Sequence, residues 1–113
     1  LAARSDLTVV ALPDAARKDE AARARALNDA DLVVLCLPDE ASRQAVSLIE
    51  NPRVRVIDAS TAFRVAEGWT CGFPELEADG YDRIASSARV ANPGCGATGF
   101  LALARPLVRE RLA

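Results

Sequence analysis

The chain has 113 residues, half of them hydrophobic, which is enough for one small domain with a modest core. Its 14 basic and 16 acidic residues are interspersed and give a formal net charge of -2. This balance indicates no basic surface for nucleic acid or anionic membranes. No apolar stretch approaches the roughly 20 residues that span a bilayer, and residues 1–6 lack the apolar core of a signal peptide. We therefore expect a cytoplasmic protein without nucleic-acid or membrane partners.

The first part of the chain shows a strand pattern followed by a helix pattern. Residues 7–12 are apolar and rich in β-branched side chains, and Pro13 follows them, which predicts a strand and a turn. Residues 15–28 consist mainly of good helix formers, and Asp14 is placed to cap the first turn. We expect a strand over 7–12 and a helix over 15–28.

The pattern then repeats. Residues 32–37 form a continuous apolar run, typical of a parallel strand that is covered on both faces. A helix is predicted over 40–49 and a further strand over 54–57. Strands that alternate with helices indicate an α/β domain with a parallel sheet, whose ligand crevice lies outside the carboxyl ends of the strands.

The second half of the chain is less regular. Between residues 58 and 93 the periodicity fades and glycines recur, so we interpret this segment mainly as loop. Residues 96–113 show the apolar spacing of one helix face, and Pro106 is expected to kink or restart that helix.

Cysteine is the residue type whose chemistry depends most on its position here. Cys36, Cys71 and Cys95 are an odd number without metal-ligand spacing, and the sequence has no histidine, so neither a disulfide framework nor a metal site is predicted. Cys95 follows Asn-Pro-Gly and precedes a predicted helix, whose N-terminal N–H groups favour the reactive thiolate. A space-filling cysteine is the commoner alternative. Cys36, inside an apolar run, is interpreted as core packing, and Cys71 as an incidental thiol.

Two further groups of residues have both a functional and a structural interpretation. Arg17 and Lys18 follow the first predicted strand, where a cation can pair with the 2′-phosphate of NADP, although the charge pattern alone favours a solvated helix face. Asp58 and Ser60 follow the third strand and either contact a ligand or satisfy a turn, and the residues alone favour the turn.

Four segments in one consistent order resemble the short-type N-acetyl-gamma-glutamyl-phosphate reductases: ALPDAARKD, NDADLVVLCLPDEAS, VIDASTAFRVAEGWTCGFPEL and VANPGCGATGFLALARPLV. The resemblance implies an NADPH-dependent enzyme of arginine biosynthesis that acts on a small acyl phosphate and is a homo-oligomer at full length. In that family the cysteine of the NPGC motif attacks the acyl phosphate, expels phosphate and leaves a thioester, which is reduced to the semialdehyde. Cys95 matches that cysteine.

The resemblance also assigns roles to other residues. It implies a truncated Rossmann-like NAD(P)-binding domain over 1–94 and the start of a catalytic and dimerisation α+β domain over 95–113. Cofactor contacts are implied for Arg17, Lys18, Cys36, Leu37, Pro38 and Ser60. Substrate contacts are implied for Asn92 and Arg64, and Asn92 and Gly94 shape the turn that presents Cys95.

This sequence departs from the family pattern at several positions. Family members have His where Phe63 stands, Tyr where Cys71 stands, and Tyr-Pro where Gly96 and Ala97 follow the nucleophile. The missing histidine at position 63 puts substrate affinity or specificity in doubt. The family's glycine-rich turn is expected before Leu1, and its histidine base after the last residue. The chain begins at Leu1 and contains no methionine, so we expect an internal fragment that is inactive alone.

Two alternatives remain open from the sequence. An aspartate-semialdehyde dehydrogenase-like enzyme shares the acyl-phosphate and cysteine chemistry, but residues 68–76 favour the acetylglutamyl enzyme. A noncatalytic nucleotide-binding or assembly module is compatible with the missing base.

Overall fold

The computed structural model describes residues 3–113 and contains one parallel sheet. Its four strands lie in the order β1-β2-β4-β3 and all pair in parallel. The strands are β1 (Leu32–Leu35), β2 (Arg55–Asp58), β3 (Thr70–Cys71) and β4 (Arg89–Ala91). This arrangement confirms the prediction of a Rossmann-like α/β fold.

Helices connect β1 to β2 and β3 to β4, since a parallel pair needs a crossover connection, whereas an irregular loop joins β2 to β3. The α-helices are α1 (Glu20–Asp29), α2 (Asp39–Ser47), α3 (Gly80–Ser86) and α4 (Cys95–Arg109). Short 3-10 helices occupy Asp14–Ala16 and Pro74–Leu76. Within residues 3–113 no helix combines the length and the apolar character that crossing a membrane would need.

The core lies between α2 and one face of β1 and β2. Its buried members are Val33, Leu35, Ala45, Val54 and Val56. Along β1 these buried side chains alternate with Leu32 and Val34, which are each 45% exposed on the other face. Only one face of this part of the sheet is therefore well covered, and burial there contributes roughly 1.5–3 kcal/mol for each large side chain.

Asn28, near the end of α1, joins the two helices that flank β1. Its side-chain amide donates to the carbonyl oxygens of Ala24 and Leu48, each at 2.8 Å. Its side-chain oxygen accepts from the N–H groups of Glu50 and Asn51, also at 2.8 Å. The ends of α1 and α2 are thus fixed to each other through one side chain whose hydrogen-bonding groups are all used.

The prediction of a strand over residues 7–12 is wrong. Those residues form no strand, and Val9 and Val10 are 53% and 83% exposed. A strand needs a neighbouring backbone to pair with, and within the described residues β1 pairs only with β2. The segment is therefore apolar but unpaired.

The first helix begins later than predicted. Asp14 starts only a 3-10 turn, and α1 starts at Glu20. The capping residue is Asp19, whose side chain accepts from the N–H groups of Ala21 and Ala22 at 3.0 and 3.3 Å. The sequence contains two suitable aspartates, and only the later one, Asp19, caps the helix.

Residues 58–93 are mainly irregular, as predicted, but the prediction missed three short elements within them. This segment contains β3, α3 and β4, and β4 lies inside the sheet between β2 and β3. Strands of two and three residues are too short to show periodicity, so the sequence gives little sign of them. At the end of the chain, α4 continues through Pro106 to Arg109 and does not restart there.

Candidate active site at the carboxyl edge of the sheet

The turns that follow β1, β2 and β4 meet at one edge of the sheet. The N–H of Ala59 donates to the carbonyl oxygen of Leu35 at 2.9 Å, and the N–H of Asn92 donates to that of Asp58 at 2.8 Å. These bonds continue the strand pairing into the turns. The residues directly beyond them therefore surround a common edge, where parallel α/β sheets bind ligands.

Asp58 and Ser60 shape the turn after β2. Asp58 is fully buried, and its Oδ2 accepts from the N–H of Ser60 at 3.1 Å and from its hydroxyl at 2.5 Å. The Ser60 hydroxyl oxygen in turn accepts from the N–H of Ala62 at 3.1 Å. These contacts support the turn interpretation, and they leave Ser60 only 8% exposed.

Asp39 connects this turn to α2. Its Oδ1 accepts from the N–H of Thr61 at 2.9 Å, and its Oδ2 accepts from the Thr61 hydroxyl. The hydroxyl and N–H of Thr61 lower the pKa of Asp39, and the positive charges of Arg43 and Arg64 lower it further. The sequence analysis did not single out Asp39, because its partner lies 22 residues away.

Cys95 is the first residue of α4, and it is exposed. The N–H and the hydroxyl of Thr98 both donate to the carbonyl oxygen of Gly94 at 2.9 Å, which closes the first turn of the helix. The thiol therefore lies at a helix start and open to solvent. A space-filling role, the alternative left open by the sequence, does not fit this exposure.

The other two cysteines are also exposed. The prediction that Cys36 packs in the core is wrong, because β1 ends at Leu35 and leaves Cys36 in the turn. Cys71 is the last residue of β3. Within residues 3–113, no group of three or more cysteine, aspartate or glutamate side chains could hold a metal ion.

Arg64 lies against the turn that presents Cys95. A Cβ atom built on Gly94 would be 2.7 Å from Nη1 and 3.1 Å from Cζ of Arg64, so the guanidinium occupies the space that a side chain would take. Gly94 therefore allows this close approach, which a larger residue would permit only if the Arg64 side chain moved. The structure thus brings Arg64, a predicted substrate contact, to the turn before Cys95, and Asn92 lies exposed at the start of the same turn.

The predicted cofactor residues fall into two groups. Cys36, Leu37 and Pro38 are exposed in the turn between β1 and α2. Arg17 and Lys18 are exposed beyond the first 3-10 helix, and Arg17 pairs with Asp14 at 3.2 Å. Within the described part of the chain, no hydrogen bond or ion pair joins Arg17 or Lys18 to the turns at the sheet edge.

Phe63 and Trp69 fix the loop that carries Arg64. Their rings stack with centroids 4.1 Å apart and planes 8° from parallel, and Trp69 packs against the buried core. Phe63 is the position where the resemblance implies a histidine. In this chain it is a packing residue for the loop, which the sequence analysis did not anticipate.

Comparisons with known proteins agree with this geometry. The semialdehyde dehydrogenase NAD-binding domain family matches residues 4–84. The chain belongs to that family. The matched region of this semialdehyde dehydrogenase domain includes β1, β2 and the turns that follow them, so the sheet edge described above is the edge of a nicotinamide dinucleotide-binding fold.

Curated relatives extend the match to nearly the whole chain. N-acetyl-gamma-glutamyl-phosphate reductase 2 of Pseudomonas putida is 54% identical over 112 residues, which are 99% of this chain and 36% of that protein. The N-acetyl-gamma-glutamyl-phosphate reductase of Chelativorans sp. is 56% identical, again over 99% of this chain and 36% of its own length. That of Trichormus variabilis is 49% identical over 95% of this chain and 33% of its own length. The chain spans about a third of the length of these relatives. No solved structure matches it.

Proposed function

We propose that the protein is an NADPH-dependent N-acetyl-gamma-glutamyl-phosphate reductase of arginine biosynthesis. It converts N-acetyl-gamma-glutamyl phosphate to N-acetylglutamate 5-semialdehyde and releases phosphate. The observation that carries the proposal is the exposed Cys95 at the start of α4, beside the turns at the carboxyl edge of the sheet. The similarity of this chain to the named reductases, which includes residue 95, supports it.

The proposal also covers the domain boundaries, the cellular location and the oligomeric state of the protein. Residues 1–94 belong to the NAD(P)-binding domain, and residues 95–113 begin the catalytic and dimerisation domain. The protein acts in the cytoplasm as a homo-oligomer. The chain has no histidine, so the cysteine–histidine pair that the resemblance implies cannot form within it, and we expect the chain alone to be inactive.

In the first chemical step the Cys95 thiolate attacks the carbonyl carbon of the acyl phosphate. A carbon–sulfur bond forms, the carbon–oxygen bond to the phosphate breaks, and phosphate leaves with the bonding electrons. The product is a thioester on Cys95, so that one difficult substitution becomes two easier steps. NADPH, when bound, supplies the hydride that reduces the thioester. The carbon–sulfur bond then breaks, and Cys95 returns to the thiolate.

Arg64 and Asn92 bind the substrate in this mechanism. The Arg64 guanidinium lies against Gly94, next to the nucleophile, where a cation can meet an anionic group of the acyl phosphate. The Asn92 side chain is exposed three residues before Cys95 and can bond to the substrate. Both residues orient the substrate with respect to the thiol.

The residues present fit one wall of a dinucleotide crevice. Cys36, Leu37 and Pro38 are exposed at the sheet edge before α2 and would contact the dinucleotide, and Ser60, in the turn after β2, would lie beneath its nicotinamide. Arg17 and Lys18 are assigned to the 2′-phosphate. Replacing both by glutamate is expected to lower the ratio of NADPH to NADH efficiency. Arg25→Glu, on the exposed side of α1, is the control and should leave the ratio unchanged. An unchanged ratio in the double variant would contradict the assignment of Arg17 and Lys18 to the 2′-phosphate.

The test of the function uses the protein as its gene encodes it. Cys95→Ser is expected to abolish the phosphate-dependent, NADP-linked oxidation of N-acetylglutamate 5-semialdehyde while dinucleotide binding stays nearly intact, because only the covalent step needs sulfur. Cys71→Ser is the matched control, since Cys71 is also an exposed thiol at the sheet edge, and it should keep the activity. Near-normal turnover of Cys95→Ser would contradict the proposal.

A further inference from the structure

The carboxylate of Asp39 bonds to a loop outside its own helix. It is the first residue of α2, after Pro38 at the cap position, where an acidic side chain interacts favourably with the positive end of its own helix. Both of its carboxylate oxygens instead accept from Thr61, in the turn after β2. The carboxylate therefore fixes the position of a loop and does not cap its own helix.

That loop carries Arg64. Thr61 is held by Asp39 at one end, and Phe63 is held against Trp69 at the other. With Thr61 and Phe63 fixed just before it in the chain, the Arg64 side chain extends to the turn of Gly94. A continuous series of contacts thus leads from Asp39, through the loop, to the residue that precedes Cys95.

The charges in this series leave Arg64 available to a ligand. Asp39 lies close enough for Arg64 to contribute to its lowered pKa, but among the ion pairs of residues 3–113 Arg64 takes no part. The carboxylate attracts the guanidinium without neutralising it in a direct pair. An exposed, oriented guanidinium is suited to bind an anion with two parallel hydrogen bonds.

We propose that Asp39 is a positioning residue for the reductase: through Thr61 it holds Arg64 over Gly94, where the guanidinium meets an anionic group of the substrate beside Cys95. This inference rests on the proposed function. The anionic group is either the phosphate or the carboxylate of the acyl substrate, and both have the same chemistry towards a guanidinium. Kinetics in the direction of semialdehyde oxidation separates them, since phosphate and semialdehyde are then different substrates.

The experiment measures kcat and the three KM values of the protein as its gene encodes it. Asp39→Asn keeps the shape of the side chain but removes its charge and one acceptor. It is expected to raise the KM for phosphate or for the semialdehyde about tenfold, with a smaller change in kcat and an unchanged KM for NADP. Glu40→Gln is the matched control, because it makes the same change on the next residue, whose carboxylate is exposed and, within residues 3–113, forms an ion pair only with Arg43. It should leave all three values unchanged.

A double-mutant cycle separates positioning from a general structural role. Arg64→Ala is expected to raise the same KM, and adding Asp39→Asn to it should change that KM little further, because the residue that Asp39 positions is already gone. If Asp39→Asn does not fold, as judged by circular dichroism, Thr61→Val replaces it in the cycle and Thr61→Ser serves as its conservative control. Unchanged KM values, or an effect that is equally large without Arg64, would overturn the proposal.

The outcome also distinguishes this inference from the proposed function. A wild-type protein without phosphate-dependent oxidation of the semialdehyde would contradict the function itself. An active wild type, an inactive Cys95→Ser and an Asp39→Asn with ordinary KM values would contradict only the positioning role.

Discussion

Residues 7–14 and 32–39 read LTVVALPD and LVVLCLPD, and in the structure they have opposite outcomes. The second segment forms β1, with Val33 and Leu35 buried against α2. The first forms no strand, although its composition and its Pro-Asp ending are nearly the same. The difference shows that an apolar, β-branched run predicts only a tendency to be extended, and that a neighbouring strand and a covering helix decide whether it pairs.

The aspartates that end the two segments differ in the same way. Asp14 starts a 3-10 turn, and its side chain is 90% exposed with Arg17 as its ion-pair partner. Asp39 starts α2 and binds Thr61 in the next turn of the sheet edge. Equivalent local sequences therefore acquire a functional position only where the tertiary structure supplies a partner.

The largest expected effect is a difference in stability between substitutions at matched positions of the two segments. Leu35 and Val10 are 25 residues apart and correspond in the two segments, but they are 5% and 83% exposed. Leu35→Ala is expected to lower the free energy of unfolding of the chain by about 2–5 kcal/mol, because it leaves a cavity in the core. Val10→Ala should change it by less than about 0.5 kcal/mol. Urea unfolding and amide hydrogen exchange of β1 measure both, and similar losses would show that residues 7–12 are packed.

A second pair of substitutions sharpens the contrast between packed and open regions. A Cβ on Gly80, at the start of α3, would lie 1.9 Å from the carbonyl oxygen of Pro74, whereas a Cβ on Gly99 in α4 meets nothing within 4 Å. Gly80→Ala is expected to destabilise the chain by about 1–3 kcal/mol, because backbone must move. Gly99→Ala should stabilise it by up to about 1 kcal/mol through helix propensity. Thermal unfolding compares them, and a harmless Gly80→Ala would contradict the close contact.

The smallest expected effect concerns pH and Asp39. Its pKa lies below the ordinary value of 3.8 in the folded chain, chiefly because of the Thr61 hydroxyl and N–H and secondarily because of Arg43 and Arg64. A lowered pKa means that the carboxylate stabilises the fold above pH 3.8 and that this contribution is lost as the pH falls through the folded value. The stability difference between wild type and Asp39→Asn should therefore shrink in acid. A difference that is constant with pH would show that the Thr61 contact is not made.

The sequence was sufficient for the features that depend on local pattern. A continuous apolar run located β1, the short segment 54–57 located β2, and the Asn-Pro-Gly turn located the helix start at Cys95. The sequence was insufficient where contacts between distant residues determine the structure. Strand pairing places β4 between β2 and β3, and the contact of Asp39 with Thr61 joins residues 22 positions apart. Cys36 was misplaced for the same reason, since the end of β1 depends on how far β2 runs beside it.

The most direct test of the central claim is to find the covalent intermediate on Cys95. The protein as its gene encodes it is mixed with N-acetylglutamate 5-semialdehyde and NADP without phosphate, quenched in acid, digested and analysed by peptide mass spectrometry. We expect the acyl group as a thioester on the peptide that contains Cys95, and its loss when phosphate is added before the quench, because phosphate releases the acyl group. An active protein that carries the acyl group on Cys36 or Cys71, or on no cysteine, would contradict the assignment of Cys95 as the nucleophile.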